Sequence, residues 1–107
     1  MATDPAFARY VCAQLADAGE IVCKRLFGEY GLWHDGVFFG TIEDNMLCLK
    51  ITAPGRALLP QAEIVEPHEG ARFLHVEQLD DRALLAELVR QTCGALPAPR
   101  RRRKKGV

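Results

Sequence analysis

The 107-residue sequence predicts an α+β domain: a mostly antiparallel meander sheet of four to five strands, flanked by an N-terminal and a C-terminal amphipathic helix. Three observations carry this reading. Apolar residues recur at intervals of three and four near both ends, and between them the pattern shortens to β-rich runs punctuated by glycine. An Asp35-Gly36 pair separates two of those runs and marks a two-residue hairpin.

The first helix is announced by its cap. Asp4 precedes Pro5 at the first helical position, Phe7, Tyr10, Val11, Gln14, Leu15 and Ala18 form one stripe, and Gly19 ends it. Residues 21–27 then read as a strand, Gly28 and Gly31 bracket a turn, and residues 31–34 and 37–42 flank Asp35-Gly36. Glu43-Asp44-Asn45 turns the chain into a strand over 46–51. Pro54-Gly55 breaks that strand, residues 56–59 make one helical turn, and Ile64-Val65 pairs with residues 73–76. Asp80 or Asp81 caps the last helix, whose stripe is Leu84, Leu85, Leu88, Val89 and Thr92, and Gly94 stops it.

A two-residue turn at 35–36 sets Trp33 opposite Phe38 and Leu32 opposite Phe39. Leu32, His34, Val37 and Phe39 then share one face, with Trp33 and Phe38 on the other. A three-residue loop at 43–45 adds Leu47, Leu49 and Ile51 to the Phe39 side and Ile42 and Met46 to the Trp33 side; a two-residue loop reverses that assignment. Both faces are apolar, so the sheet needs two covers: helices on both sides, or a helix on one and a partner chain on the other.

Composition limits the function classes. An apolar share of 49% is too high for disorder, and a chain of this length buries roughly two thirds of its unfolded surface around one core. No apolar run reaches the ~20 residues of a membrane span and the start has no secretory pattern, so the expectation is a soluble cytoplasmic protein with no membrane contact. The formal charge of zero hides an asymmetry. Arg100, Arg101, Arg102, Arg103, Lys104 and Lys105 are six of the fourteen basic residues, and without them the body carries −6. The expected division is a domain over 1–94 and a Pro-containing, disordered basic tail over 95–107, whose cations supply weak non-specific affinity for nucleic acid.

Catalytic signals are sparse. No G-x-G-x-x-G, Walker A or G-x-S-x-G pattern occurs, and Cys12, Cys23, Cys48 and Cys93 lack zinc-type spacing, so they are expected to be free, mostly buried thiols. No cofactor and no metal are expected. His34 reads as a solvated hairpin end and His68 as a loop residue, and a Cys–His pair is the minimum an enzyme of this chain would require. Gly28-Glu29-Tyr30-Gly31 has the G-x-x-G spacing of a KH clamp but lies among strands and carries a carboxylate. Phe27, Tyr30, Trp33, Phe38 and Phe39 gather five of eight aromatics into one stretch that holds no Lys or Arg. Core packing accounts for most of them, and Tyr30, Trp33, Phe38 and Met46 are the candidates for a protein contact surface, with a second copy of the chain as one partner.

The run Arg25-Leu26-Phe27-Gly28-Glu29-Tyr30-Gly31-Leu32-Trp33-His34-Asp35-Gly36-Val37-Phe38-Phe39-Gly40, followed by Leu47-Cys48-Leu49-Lys50, resembles the TfoX N-terminal domain family. Its signature sets two glycines around a tyrosine, then a D-G hairpin and a closing L-x-L-K, in this order and spacing. The likeness covers residues 5–51 and thins beyond them: the family's Asn-led segment, its Pro-Phe pair and the Pro ahead of its terminal helix are replaced here by Arg56-Ala57-Leu58-Leu59, Pro67-His68 and residues 76–79. The resemblance implies a non-enzymatic regulatory or interaction module. The family's best-known members look like competence regulators that assist the cyclic-AMP receptor protein at promoters and carry a second domain, and the resemblance transfers no catalytic residue.

Overall fold

A computed structural model describes residues 3–26 and 28–97. Phe27 and the basic residues at 100–105 lie outside the described residues. The elements run α1 (Pro5–Gln14), β1 (Ile21–Leu26), β2 (Glu29–His34), β3 (Val37–Glu43), β4 (Met46–Leu49), α2 (Ala53–Leu58), β5 (Ile64–His68), β6 (Ala71–Val76) and α3 (Arg82–Ala95), with a 3-10 turn at Leu15–Ala18. The architecture is α+β as expected, but with six strands, in the order β1-β2-β3-β4-β6-β5, every neighbouring pair antiparallel.

Each helix begins where its cap places it. Asp4 accepts the Ala6 amide at 2.9 Å, Thr52 the Gly55 amide at 3.1 Å, and Asp81 the Leu84 amide at 3.1 Å. The buried stripe of α1 and the turn after it is Ala8, Val11 and Leu15; Tyr10, assigned to that stripe by spacing, is exposed instead. Gly94 does not stop α3, which continues to Ala95 and is capped at Leu96. These helices cover one face of the sheet. Val11, Leu15, Leu85, Leu88 and Val89 pack with Leu32, Phe39, Ile42, Leu47, Leu49 and Val76 in a single core.

The register of the β2–β3 hairpin starts as the Asp35-Gly36 turn dictates, with His34 opposite Val37 and Trp33 opposite Phe38. Next, Leu32 faces Gly40 rather than Phe39, so Phe39 is an inserted residue and the strand bulges. A bulge reverses the alternation beyond it. The turn into β4 is a two-residue one at Asp44-Asn45, both at positive φ, with Glu43 opposite Met46. Together these put Leu47 and Leu49 on the Phe39 side and Met46 on the Trp33 side, as the three-residue loop required, but they move Ile42 into the core, against that expectation. Gly40 permits the close approach there, because a Cβ would overlap the Cys48 carbonyl oxygen.

The second face finds a cover that neither expectation included. β5 lies three strands from β3, about 14 Å away in a flat sheet, yet His68 Nδ1 at the end of β5 is 2.8 Å from Glu43 Oε1. The sheet therefore curls, bringing the end of the β5–β6 hairpin over its own helix-free face. Thr41, Glu43, Cys48 and Phe73, all on that face by register, are buried.

Candidate functional site

The helix-free face carries side chains from β1, β2, β3 and β4. At the end nearest the Asp35-Gly36 turn, Trp33 and Phe38 form a half-buried pair with ring centroids 5.2 Å apart and planes tilted by 49°, a geometry that adds about 0.5–1.5 kcal/mol beyond burial. Gly31 makes room for the indole: two positions earlier on the same face, it would place a Cβ 2.7 Å from Trp33 Cη2. The family signature's second glycine thus has a steric reason here.

Two cations cover these rings. Lys24 Nζ lies 5.9 Å from the Trp33 ring centroid and Lys50 Nζ 5.0 Å from that of Phe38. Neither appeared in the aromatic stretch, because each arrives from an adjoining strand. Lys24 is diagonal to Trp33 across the β1–β2 pairing, and Lys50 follows β4, its amide bonded to the Phe39 carbonyl at 2.8 Å. The strand parity of residues 22–26 was the available signal.

Toward the opposite end the curl encloses a cleft of about 650 Å³ lined by Leu26, Glu29, Tyr30, Phe38, Thr41, Glu43, Asp44, Pro67 and His68. Among the interaction candidates, Phe38 lines it, Trp33 stacks on Phe38, and Met46 is half-buried opposite Glu43. Tyr30 borders the cleft but, paired with Ile42, belongs by register to the helix-covered side and packs against the core. The Tyr30 hydroxyl accepts a hydrogen bond from Arg25 at 2.8 Å, with the guanidinium 5.0 Å from the ring centroid. Two buried polar atoms at the cleft, Thr41 Oγ1 and Glu43 Oε2, have no hydrogen-bond partner. His68 is exposed, but it ends a strand and engages Glu43 rather than standing in a loop.

Glu29 organises the rim. Its carboxylate accepts the Thr3 amide at 2.9 Å and the Asp44 amide at 3.0 Å, while Asn45 accepts the Asp4 amide at 2.9 Å and donates to Thr3 Oγ1 at 3.1 Å. This ties the start of α1 to the β3–β4 turn. Burial pushes the Glu29 carboxyl up, but the hydrogen bonds from Asp44 and Thr3 outweigh it and hold the group below its ordinary value. The carboxylate read against a KH clamp therefore has a structural task, and Gly31 lies within β2 rather than in a turn.

The thiols are all free, with Cys48 buried and the other three partly so. Burial, then the Glu43 carboxylate, pushes Cys48 up to about 12; burial, then Asp35, pushes Cys93 up to about 11. Cys12 is raised by its hydrogen bond with Cys23 and by burial. The Cys48 thiol faces the Met46 carbonyl at 3.9 Å. His34, expected in solvent, is largely buried, with its ring against Gly19. Among the described residues no group of three or more His, Cys, Asp or Glu side chains is placed to hold a metal ion, and no helix is long and apolar enough to cross a membrane.

Comparison with known proteins places this geometry. The TfoX N-terminal domain family matches residues 13–96. The chain belongs to that family. The match passes through α2, β5, β6 and α3, well beyond the 5–51 segment in which the signature was legible. The TfoX N-terminal domain described here is also similar to an uncharacterized 12.7 kDa protein encoded in the trpE 5′ region of Spirochaeta aurantia, 36% identical over 107 residues that cover 98% of this chain and 93% of that one. No solved structure matches it.

Proposed function

We propose that this TfoX N-terminal domain is a non-enzymatic cytoplasmic module that acts through protein contacts in bacterial transcriptional regulation. Family membership supports the regulatory role. The observation that carries the contact surface is the cleft on the helix-free face, with Phe38 and Met46 about it and Trp33 at its edge. Apolar walls supply the area a partner side chain buries, and the surrounding Glu29, Glu43 and Asp44 favour an anchor that brings a positive charge or hydrogen-bond donors. The basic residues at 100–105 add only sequence-independent attraction to nucleic acid.

The test is a photo-crosslinking residue at Met46, which is half-buried and beside the cleft. Capture of a transcription regulator, reduced at least about tenfold by Phe38→Ala, is the expected result. Crosslinking that recovers no protein, together with promoter binding in a gel shift that does not respond to the domain, would sink the reading.

A further inference from the structure

The two ends of the helix-free face differ in charge. Glu29, Glu43 and Asp44 surround the cleft, whereas Lys24 and Lys50 stand over Trp33 and Phe38 toward the hairpin turn. Of the body's eight Lys and Arg residues, Arg82 pairs with Asp17 at 3.0 Å and Arg90 with Glu87 at 3.1 Å, whereas Lys24 and Lys50 are set apart by lying over aromatic rings on the helix-free face. Among the described residues neither Lys24 nor Lys50 has a carboxylate within 4.0 Å. In a body of charge −6, two cations without acidic partners therefore sit over adjacent rings on the face that no helix covers.

We infer that this end of the face is a platform for single-stranded nucleic acid, with bases stacking on Trp33 and Phe38 and flanking phosphates held by Lys24 and Lys50. Flat rings accept any base, and the ammonium groups that lie over them in the free protein swing aside on their flexible stems to neutralise the backbone as a base stacks. Charge decides between occupants. A second copy docked by the same patch would set lysines against lysines, and an acidic peptide would satisfy the cations but leave the ring faces without a matching surface. Exposed Val22, directly opposite Trp33 on edge strand β1, extends the apolar floor without blocking it. The acidic cleft confines a polyanion to the turn end; the platform shares Phe38 with the protein contact proposed above, and Lys24 and Lys50, which do not line the cleft, tell the two apart.

Trp33 is the single tryptophan of the chain and reports on the site directly. The full-length protein is titrated with a 15-nucleotide oligothymidylate, following tryptophan emission and the anisotropy of a labelled strand. The expected result is saturable quenching, with Lys24→Ala/Lys50→Ala binding at least about tenfold more weakly and its log K against log salt slope shallower by about 1.4, the loss of two phosphate contacts on a single strand. Phe38→Leu, which keeps an apolar residue on the strand, is expected to lose about fivefold or more from one stacking contact. Near-UV circular dichroism confirms that each variant is folded. Anisotropy that rises without quenching, or that is unchanged in the lysine variant and lost when residues 100–105 are replaced by serine, would assign binding to the tail and overturn the proposal. So would a blue shift of Trp33 that depends only on protein concentration, since a second copy would then cover the rings.

Discussion

Gly31 and Trp33 show how a local choice fixes a surface. With Gly31, the indole folds back over its own strand; a methyl group there would lie 2.7 Å from Cη2, 2.9 Å from Cζ3 and 3.0 Å from Leu26 Cδ2. The leucine tip can yield, but the rigid ring must swing away from the sheet. Gly31→Ala is therefore expected to red-shift tryptophan emission and to lower stability by about 1–2 kcal/mol, read from urea unfolding. Unchanged emission would mean that the ring is not seated as described. The D-G hairpin and the opposition of Trp33 to Phe38 were legible in the residues, because a two-residue turn sets pairing by local rules. The cations over these rings were not, since Lys24 and Lys50 reach them only through pairing between strands.

Individual elements follow capping and periodicity wherever the signal is local. Asp81 accepts the Leu84 amide, and α3 supplies Leu85, Leu88 and Val89 to the core. Asp81→Ala is expected to cost about 1 kcal/mol, lowering Tm by about 4–8 °C in a thermal melt; a shift below 1 °C would show that Asp80 or solvent replaces the cap. β3 did not obey simple alternation. Its bulge at Phe39 and the short Asp44-Asn45 turn each reverse parity, so the core side of β4 came out as expected while Ile42 changed sides. An inserted residue leaves no mark in apolar periodicity when both neighbours, Phe39 and Gly40, are compatible with either face.

At the scale of the molecule, the start of α1, the β2 entry and the β3–β4 turn are joined through one carboxylate. The hydrogen bonds on Glu29 hold its folded-state value below the ordinary 4.5. That contribution is fully present above about pH 4.5 and is lost as pH falls through the lower folded-state value. Glu29→Gln should therefore lower the urea midpoint clearly at pH 7 and progressively less below pH 4, where the wild type has lost the same charge. Equal differences at pH 7 and pH 3 would contradict the linkage. The same molecular scale decides the shape of the helix-free face, because only the curl that brings His68 to Glu43 makes a cleft from strands far apart in sheet order.

By itself the sequence determined two capped amphipathic helices, a hairpin at residues 35 and 36, an acidic body with a basic end, and a family likeness in its first half. All of these depend on neighbours within a few residues or on counting charge. The tertiary structure alone decided the order and curl of the six strands, the bulge, the cleft beneath the β5–β6 hairpin and the two lysines over the aromatic pair. Their common cause is pairing and curvature between distant strands, whose energy comes from burying both faces of one sheet and is not written in any single segment.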